Sequence, residues 1–372
     1  MDARPLIVMR VLVLALGLLP GVLSSQGTPR LVLQDADAAL GEEFTEITWV
    51  RELKDGRVLV GDRRENRVVL ADFTRNTVSP VGRAGGGPGE YSSAQRVWSI
   101  GSDSSVMVDG QQRWLMFDGA RIAATLGQTN AAVSATTPTV RGTDLRGYVY
   151  AAGTVAGRNG PLGDSAAILR IARATGRVDT LGRLLAVVAR QTSEPDKNGF
   201  FSFQVPTIQV AEEVVPFPDG WIAVARLSPY RVDWRSPDGR WTRGGSLPVP
   251  SLPMDDREKR SWLERMANQD GKTARPIESI TDWPPSVPPW RSPNVLHAAP
   301  DGRVVIPRLP SADHLASRYD LVGRDGRMEG QVSLPLREHI VGFGTNSVYV
   351  AATDDNGIQR LHRHPWPAIT VR

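Results

Sequence analysis

The chain contains no cysteine, which excludes both a disulfide framework and a lipid-anchored cysteine. Lysine is almost absent, with only Lys54, Lys197, Lys259 and Lys272 along 372 residues. Arginine carries the rest of the positive charge, but acidic residues nearly balance it and the formal net charge is only +4. Because the arginines are scattered and form no basic arm, we predict that the protein has no nucleic-acid partner.

Long hydrophobic runs are also missing, except near the amino terminus. Two arginines there precede a short apolar stretch at residues 11–19, and a Pro-Gly break and small serines follow it. The stretch is too short to span a bilayer and is typical of a secretory signal. We therefore predict a signal peptide over residues 1–25 and a secreted or periplasmic domain over residues 26–372, with no membrane span. An uncleaved amino-terminal anchor is the alternative.

A repeat of short β-strand patterns and tight turns begins near residue 44 and continues along the chain. The turns are often Asp-Gly, and the runs between them alternate or are rich in β-branched residues, as in antiparallel hairpins. Three intervals between equivalent turns are about 45 residues, the length of a four-stranded propeller blade. These turns are at Gly56, Ser104, Arg146, Gly220, Gly302 and Asn346. The sequence predicts an all-β fold, a six-bladed β-propeller in a single domain.

Two of the intervals are longer by roughly 30 to 40 residues, which indicates insertions at about residues 189–209 and 248–293. In the second insertion Ser251 is a candidate N-cap, an acidic pair begins at Asp255, and Gly271 can end a helix. We predict one short inserted helix between blades 4 and 5. A proline-rich strap follows it, and its tryptophans are expected to pack on a neighbour.

The sixth unit supplies only three strand patterns. A further pattern at residues 30–33 can provide the missing outermost strand, which would join the two ends of the chain in one blade. Such a closure removes the exposed sheet edges that invite aggregation. We therefore expect residues 30–33 to complete blade 6.

The stretch GRAGGGPGEY at residues 82–91 stands between the first two units. Five glycines and a proline exclude a helix or strand interior. The stretch lacks the Lys-Ser or Lys-Thr ending of a phosphate loop and leads into a strand, so no cofactor is predicted. We interpret it as a structural linker in which Arg83 pairs with Glu90. Its residues are Gly82, Arg83, Gly85, Gly87, Pro88, Gly89, Glu90 and Tyr91.

The same stretch resembles the G-R-x-G-x-G-P-G-E-[FY] linker of secreted bacterial six-bladed β-propellers of the NHL and TolB-like kind. The segment KDGRVLVGD at residues 54–62, followed by NRVV at residues 66–69, is similar to the D-G-x-[IV]-[YV]-V-x-D…N-x-R-[IV] signature of that group. The resemblance is sharp over residues 44–118 and afterwards rests on the blade rhythm. It implies the fold and an exported location. It implies no single chemistry, since propellers host binding, scaffolding and several enzyme activities.

No pattern in the sequence identifies a catalytic or metal site. His362 and His364 share one face of a strand pattern, but no carboxylate or third histidine beside them completes a metal site. The run DDNG at residues 354–357 lacks the later ligands of a calcium loop and is better interpreted as a hairpin turn. No Gly-x-Ser-x-Gly elbow occurs. We therefore predict no catalytic residue and no metal ligand.

In a propeller the loops between second and third strands emerge on one face, together with the blade-to-blade linkers. Polar and arginine-rich residues on that face suit a protein partner or a small anionic or carbohydrate ligand. The candidates are Arg63, Arg64, Asn66, Gln111, Gln112, Arg113, Tyr230 and Arg231. A merely solvated rim accounts for the same residues equally well.

Two hypotheses of function follow from these patterns. In the first, the protein is an exported propeller that acts as a ligand-binding or protein-interaction module and not as an enzyme. In the second, it is a lactonase-like propeller hydrolase or lyase with a divalent metal at the channel mouth. The second requires at least three Asp, Glu, Asn or His side chains to converge within coordination distance at one end of the channel.

Overall fold

The computed structural model describes ten stretches of the chain. They are residues 29–126, 139–154, 165–186, 190–191, 193–194, 203–204, 206–270, 272–290, 296–366 and 370–371. The predicted signal peptide and most of the first predicted insertion lie outside these residues. Most of the described strands form six sheets that are arranged as the blades of a β-propeller, and the others form three two-stranded ribbons.

Each of the first three blades is a four-stranded antiparallel sheet whose strands follow chain order. Blade 1 consists of Ile47–Glu52, Val58–Asp62, Arg67–Asp72 and Thr77–Pro80. Blade 2 consists of Val97–Ser99, Ser104–Val108, Trp114–Asp118 and Arg121–Leu126. Blade 3 consists of Thr139–Thr143, Tyr148–Thr154, Ser165–Ala172 and Val178–Leu185.

The last three blades follow the same pattern, and the sheets of blades 5 and 6 include strands from the chain ends. Blade 4 consists of Glu213–Pro216, Ile222–Leu227, Tyr230–Arg235 and Trp241–Thr242. Blade 5 consists of His297–Ala298, Val304–Pro307, Arg318–Val322 and Met328–Ser333. Blade 6 consists of Glu338–Phe343, Ser347–Thr353, Gln359–Pro365 and Ala38–Ala39.

The six sheets close into a ring around a central channel. The innermost strand of every blade contacts the innermost strands of both neighbouring blades, including blade 6 with blade 1. A buried apolar cluster fills each junction between adjacent blades. Large aromatic side chains dominate several of these clusters, among them Trp234 between blades 4 and 5 and Tyr349 between blades 6 and 1. Because each blade packs against both of its neighbours, both faces of its middle strands are buried.

The ring is closed by a different segment from the one expected. Ala38–Ala39 pairs antiparallel with Gln359–Pro365 and is the outermost strand of blade 6. Arg30–Val32 instead pairs with the outermost strand of blade 5, in parallel, and with Thr370–Val371. The expectation that residues 30–33 complete blade 6 was therefore wrong.

Burial of two short segments explains this arrangement. Leu40 is 2% exposed in the cluster between blades 6 and 1, which fixes the preceding strand on blade 6. Leu31 is 6% exposed in the cluster between blades 5 and 6, which holds the earlier strand on blade 5. A strand pattern alone does not distinguish these two edges, because both offer unpaired backbone groups.

The α-helix Asp256–Asp270 follows Trp241–Thr242 along the chain and precedes His297–Ala298. The helix starts after Asp255, whose side chain accepts a hydrogen bond from the Glu258 N–H at 2.9 Å and is the N-cap. Ser251, the expected cap, is four residues earlier. No helix among the described residues has the length and apolar character needed to cross a membrane.

The helix is part of a small apolar layer that lies outside the blades. Trp262 and Leu263 of the helix pack with Ile280 and with Val287, which belongs to a two-stranded ribbon, Leu252–Pro253 with Ser286–Val287. Trp290, at the end of the proline-rich strap, is fully buried in the cluster between blades 4 and 5. The strap therefore attaches this layer to the propeller.

Candidate functional site

The central channel widens at one face of the propeller into a cavity of about 1230 Å³, named the mouth cavity. Its wall is formed by the starts of innermost strands, by loops between second and third strands, and by blade linkers. A smaller cavity of about 200 Å³ continues along the channel, and Arg96, Trp98 and His297 line both. These three residues therefore lie where the two cavities meet. Other polar residues of the wall include Glu46, Arg63, Asp109, Gln112, Arg308, Arg318 and His339.

Two of the eight surface candidates, Arg63 and Gln112, line the mouth cavity. The Arg63 guanidinium lies 2.6 Å from the Glu46 carboxylate, and Arg64 approaches the same carboxylate at 3.4 Å. Gln112 has a positive φ of 60° at the tip of its loop, and its N–H donates to the Asp109 carbonyl at 2.9 Å. The exposed side chain of Gln112 is therefore held at the rim by its backbone.

Asn66 and Gln111 hold the entry into blade 2 and are not cavity residues. The Asn66 amide oxygen accepts from the Ala94 N–H at 2.7 Å, and its nitrogen donates to the Ser92 carbonyl at 3.2 Å. The Gln111 N–H donates to the Ser92 hydroxyl at 3.1 Å. Both residues therefore fix the chain that leads from the linker to the innermost strand of blade 2.

Arg113 binds the glycine-rich linker directly. Its guanidinium donates to the Gly86 carbonyl at 2.7 Å and to the Gly85 carbonyl at 3.1 Å. The same group lies 2.7 Å from the buried carboxylate of Asp109. Arg113 is thus a clamp between blade 2 and the linker.

Tyr230 and Arg231 are largely withdrawn from the surface. The Tyr230 hydroxyl donates to Asp320 at 3.0 Å, and burial together with that carboxylate raises the pKa of Tyr230 well above its usual value. Arg231 is bound to Asp233 at 2.9 Å. Both side chains bind carboxylates within the protein, and neither of them lines the mouth cavity.

The linker at residues 82–91 folds back on itself between blades 1 and 2. Arg83 and Glu90 form an ion pair at 2.6 Å, and the Gly87 N–H donates to the other Glu90 oxygen at 2.7 Å. The Gly87 N–H and Arg83 together lower the pKa of Glu90. The hydroxyl of Tyr91, which is 1% exposed, accepts from the Val68 N–H at 2.8 Å and anchors the linker to blade 1.

Sequence reasoning missed the charged residues nearest the channel axis. Arg96 immediately precedes the innermost strand of blade 2, and the carboxylate of Glu213, in the innermost strand of blade 4, lies 3.2 Å from Arg141 of blade 3. Burial lowers the pKa of Arg96, and the charge of Glu213 acts in the opposite direction. These residues are far apart in sequence and follow no motif. The only available signal was their place at or beside the innermost strands.

A second charged group lies on the blade 5 side of the mouth cavity. The carboxylate of Asp320 is fully buried and accepts from Arg308 at 2.7 Å, from Gln331 at 3.2 Å and from Tyr230. The pKa of Arg318 is lowered, and burial is the largest cause. The positive charge of Arg308 lowers it further, whereas the carboxylate of Asp320 raises it. The oxygens of Asp320 are thus already occupied by partners other than Arg318.

The histidines of the channel are neutral at ordinary pH. Burial lowers the pKa of His297 to about 3, with smaller contributions in the same direction from Arg96 and His339. Burial also lowers the pKa of His339. Within the described residues, no group of three or more His, Cys, Asp or Glu is arranged to hold a metal ion. Because Arg96 and Arg141 would repel a divalent cation in this part of the channel, these residues do not fit the metal of the second hypothesis.

No protein-family model matches this sequence, and no curated protein is significantly similar to it. Solved structures with a similar fold include a proposed gluconolactonase. It has 12% identity over 90% of this chain and 94% of that one, and the TM-score is 0.48. A proposed exported protein from Bacteroides fragilis has 9% identity over 92% and 94% of the chains and a TM-score of 0.47. Virginiamycin B lyase from Staphylococcus aureus has 10% identity over 88% and 97% and a TM-score of 0.43. Likenesses at this level transfer no activity to this chain.

Proposed function

We propose that this protein is an exported β-propeller that binds a ligand in its mouth cavity, as a binding module with no catalytic step assigned to it. The propeller would occupy residues 26–372, with one helix inserted between blades 4 and 5. The amino-terminal pattern at residues 1–25 supports export. Amino-terminal sequencing of the protein recovered from outside the cytoplasm would find a chain that begins near residue 26.

The mouth cavity is the observation that carries the proposal. Its volume of about 1230 Å³ exceeds the usual range for small-molecule pockets, roughly 300–1,000 Å³. Apolar side chains such as Trp98, Val140 and Tyr319 share the wall with arginines, which is the mixture of surfaces typical of ligand pockets. A concave site of this size suits a small or oligomeric ligand better than the flat contact of two globular proteins.

Filling the cavity with a large side chain tests the proposal. Thr139 is an exposed cavity residue at the start of blade 3, so Thr139→Trp places an indole in the cavity without disturbing the core. Thr77→Trp is the matched control, because Thr77 is equally exposed but lies on the outermost strand of blade 1. A library of small molecules and oligosaccharides would be screened by thermal shift, and hits would be measured by calorimetry.

We expect compounds that stabilise the wild-type protein and Thr77→Trp but not Thr139→Trp. Hits that stabilise all three proteins equally would place the binding elsewhere and contradict the proposal. A library that stabilises none of them would favour a protein partner instead.

A further inference from the structure

Two arginine side chains of the mouth cavity have no hydrogen-bond acceptor among the described residues. Across the part of the chain that the structure describes, the side chain of neither Arg96 nor Arg318 donates a hydrogen bond, although both residues are half-buried and line the cavity. A guanidinium presents five N–H donors and stays charged at all physiological pH values. Burying such a group without acceptors is costly, so it is normally matched by an anion.

Three carboxylates beside the cavity each face more than one arginine. Glu46, Glu213 and Asp320 are each shared by two arginines, through ion pairs or through electrostatic attraction. The arginines involved are Arg63, Arg64, Arg96, Arg141, Arg308 and Arg318.

The other charged residues of the wall, among those that the structure describes, supply no acceptor to Arg96 or Arg318. Asp109, the remaining carboxylate of the wall among the described residues, is neutralised by Arg113 at 2.7 Å. His297 and His339 are uncharged near neutral pH, because their pKa values are lowered. The N–H donors of Arg96 and Arg318 are therefore available to whatever occupies the cavity.

We propose that the ligand of the mouth cavity is a polyanion with at least two carboxylate or phosphate groups, anchored by Arg96 and Arg318. This inference rests on the proposed function and specifies the chemistry of that site. Arg96 comes from blade 2 and lies where the two cavities meet, whereas Arg318 comes from blade 5. Blades 2 and 5 are opposite each other in a ring of six, so two separated anionic groups fit better than one. Arginine suits this role because its planar fork binds carboxylate and phosphate oxygens in pairs.

Calorimetric titration with four probes tests the charge requirement and distinguishes carboxylate from phosphate. Citrate is a compact tricarboxylate, inorganic tripolyphosphate is a phosphate chain, hexagalacturonate is a long polycarboxylate, and maltohexaose is a neutral hexasaccharide. We expect at least one of the three polyanions to bind more tightly than maltohexaose by about tenfold or more. Raising the salt concentration from about 0.05 M to about 0.5 M would weaken that binding, because salt screens the attraction.

The tightest polyanion is then titrated into Arg96→Gln, Arg318→Gln and the control Arg121→Gln. Arg121 is on the outermost strand of blade 2 with 74% of its side chain exposed, so its replacement changes the net charge equally without touching the cavity. Each cavity variant is expected to lose about tenfold or more in affinity, and the control to stay within about twofold. Two separate cavity arginines keep the test valid if one variant fails to fold.

The outcomes separate this inference from the proposed function. Polyanions that bind no better than maltohexaose, or cavity variants that behave like Arg121→Gln, would overturn the inference. If neutral compounds bind and Thr139→Trp abolishes their binding, the cavity site stands and only its charge preference is wrong. If nothing binds in a manner that Thr139→Trp affects, both proposals fail.

Discussion

At the scale of single residues, arginine has two distinct uses in this molecule. Arg113 bridges two linker carbonyls and a buried carboxylate with one planar group, which the single ammonium of lysine could not do in the same geometry. Arg96 and Arg318 instead line the cavity, and their side chains have no acceptors among the described residues. Some arginines are thus structural clamps and others are candidate ligand anchors. The two kinds differ in whether acceptors surround the side chain.

The glycines of the linker differ in how strictly they are required, and alanine substitutions should reveal this. Gly82 has a φ of 63° and its added Cβ would lie 2.8 Å from the Gly89 carbonyl oxygen, whereas Gly89 has a φ of 74° and open space. Gly86 has open space and no positive φ. We expect losses of free energy of unfolding of about 3 kcal/mol for Gly82→Ala, about 1 for Gly89→Ala and about 0 for Gly86→Ala.

Urea denaturation of the three variants beside the wild-type protein measures these differences. Gly86→Ala is the internal control for any general effect of alanine in the linker. Equal losses at all three positions would contradict the assignment of Gly82 as the sterically restricted glycine.

At the scale of elements, the inserted helix is docked by a buried carboxylate as well as by apolar packing. Glu258 is 7% exposed, and its two oxygens accept from the Ala312 N–H in blade 5 at 2.9 and 3.1 Å. Arg257 adds an ion pair to Asp313 at 2.6 Å, but both side chains are exposed and the pair contributes little. The contact of Glu258 with Ala312 and the cluster around Trp262 therefore position the helix.

Removing that contact should destabilise the protein, whereas a matched change on the same helix should not. Glu258→Ala leaves the Ala312 N–H without its acceptor and is expected to cost about 2 kcal/mol. Glu264→Ala is the control, because Glu264 is exposed and has the same side chain on the same helix. Thermal and urea unfolding of both variants measure the effect, and equal stabilities would show that Glu258 does not dock the helix.

At the scale of the whole molecule, stability depends on closing the ring between blades 1 and 6. Ala38–Ala39 supplies the fourth strand of blade 6, and the following residues, Leu40 and Phe44, are 2% and 1% exposed in the adjoining cluster. The earlier strand, Arg30–Val32, only extends the outer edge of blade 5. The two amino-terminal strands therefore have unequal roles.

Two truncated chains distinguish these roles. A chain that begins at residue 35 lacks only the strand on blade 5, and we expect a moderate loss of stability from removal of Leu31. A chain that begins at residue 42 also lacks the closing strand and Leu40, and we expect a further loss of about 3 kcal/mol or more. Urea denaturation compares the two, and equal stabilities would mean that Ala38–Ala39 does not close the ring.

The propeller could be predicted from the sequence because its information is local. Turns such as Asp55-Gly56 and Asp301-Gly302 recur with alternating runs beside them, and each hairpin is encoded by neighbouring residues. The linker at residues 82–91 is equally local, so the pairing of Arg83 with Glu90 could be anticipated from its composition. The site could be predicted only as a face, and two of its eight candidates line the cavity.

Only the tertiary structure decided which amino-terminal segment closes the ring and which side chains meet at the channel. Residues 30–33 and Ala38–Ala39 are both capable of pairing, and burial of Leu31 and Leu40 in different clusters decides between them. Arg96, Glu213 and Arg318 lie in three blades, more than a hundred residues apart, and converge only when the ring closes. A local pattern specifies strands and turns, whereas the charge of the cavity is a property of long-range packing.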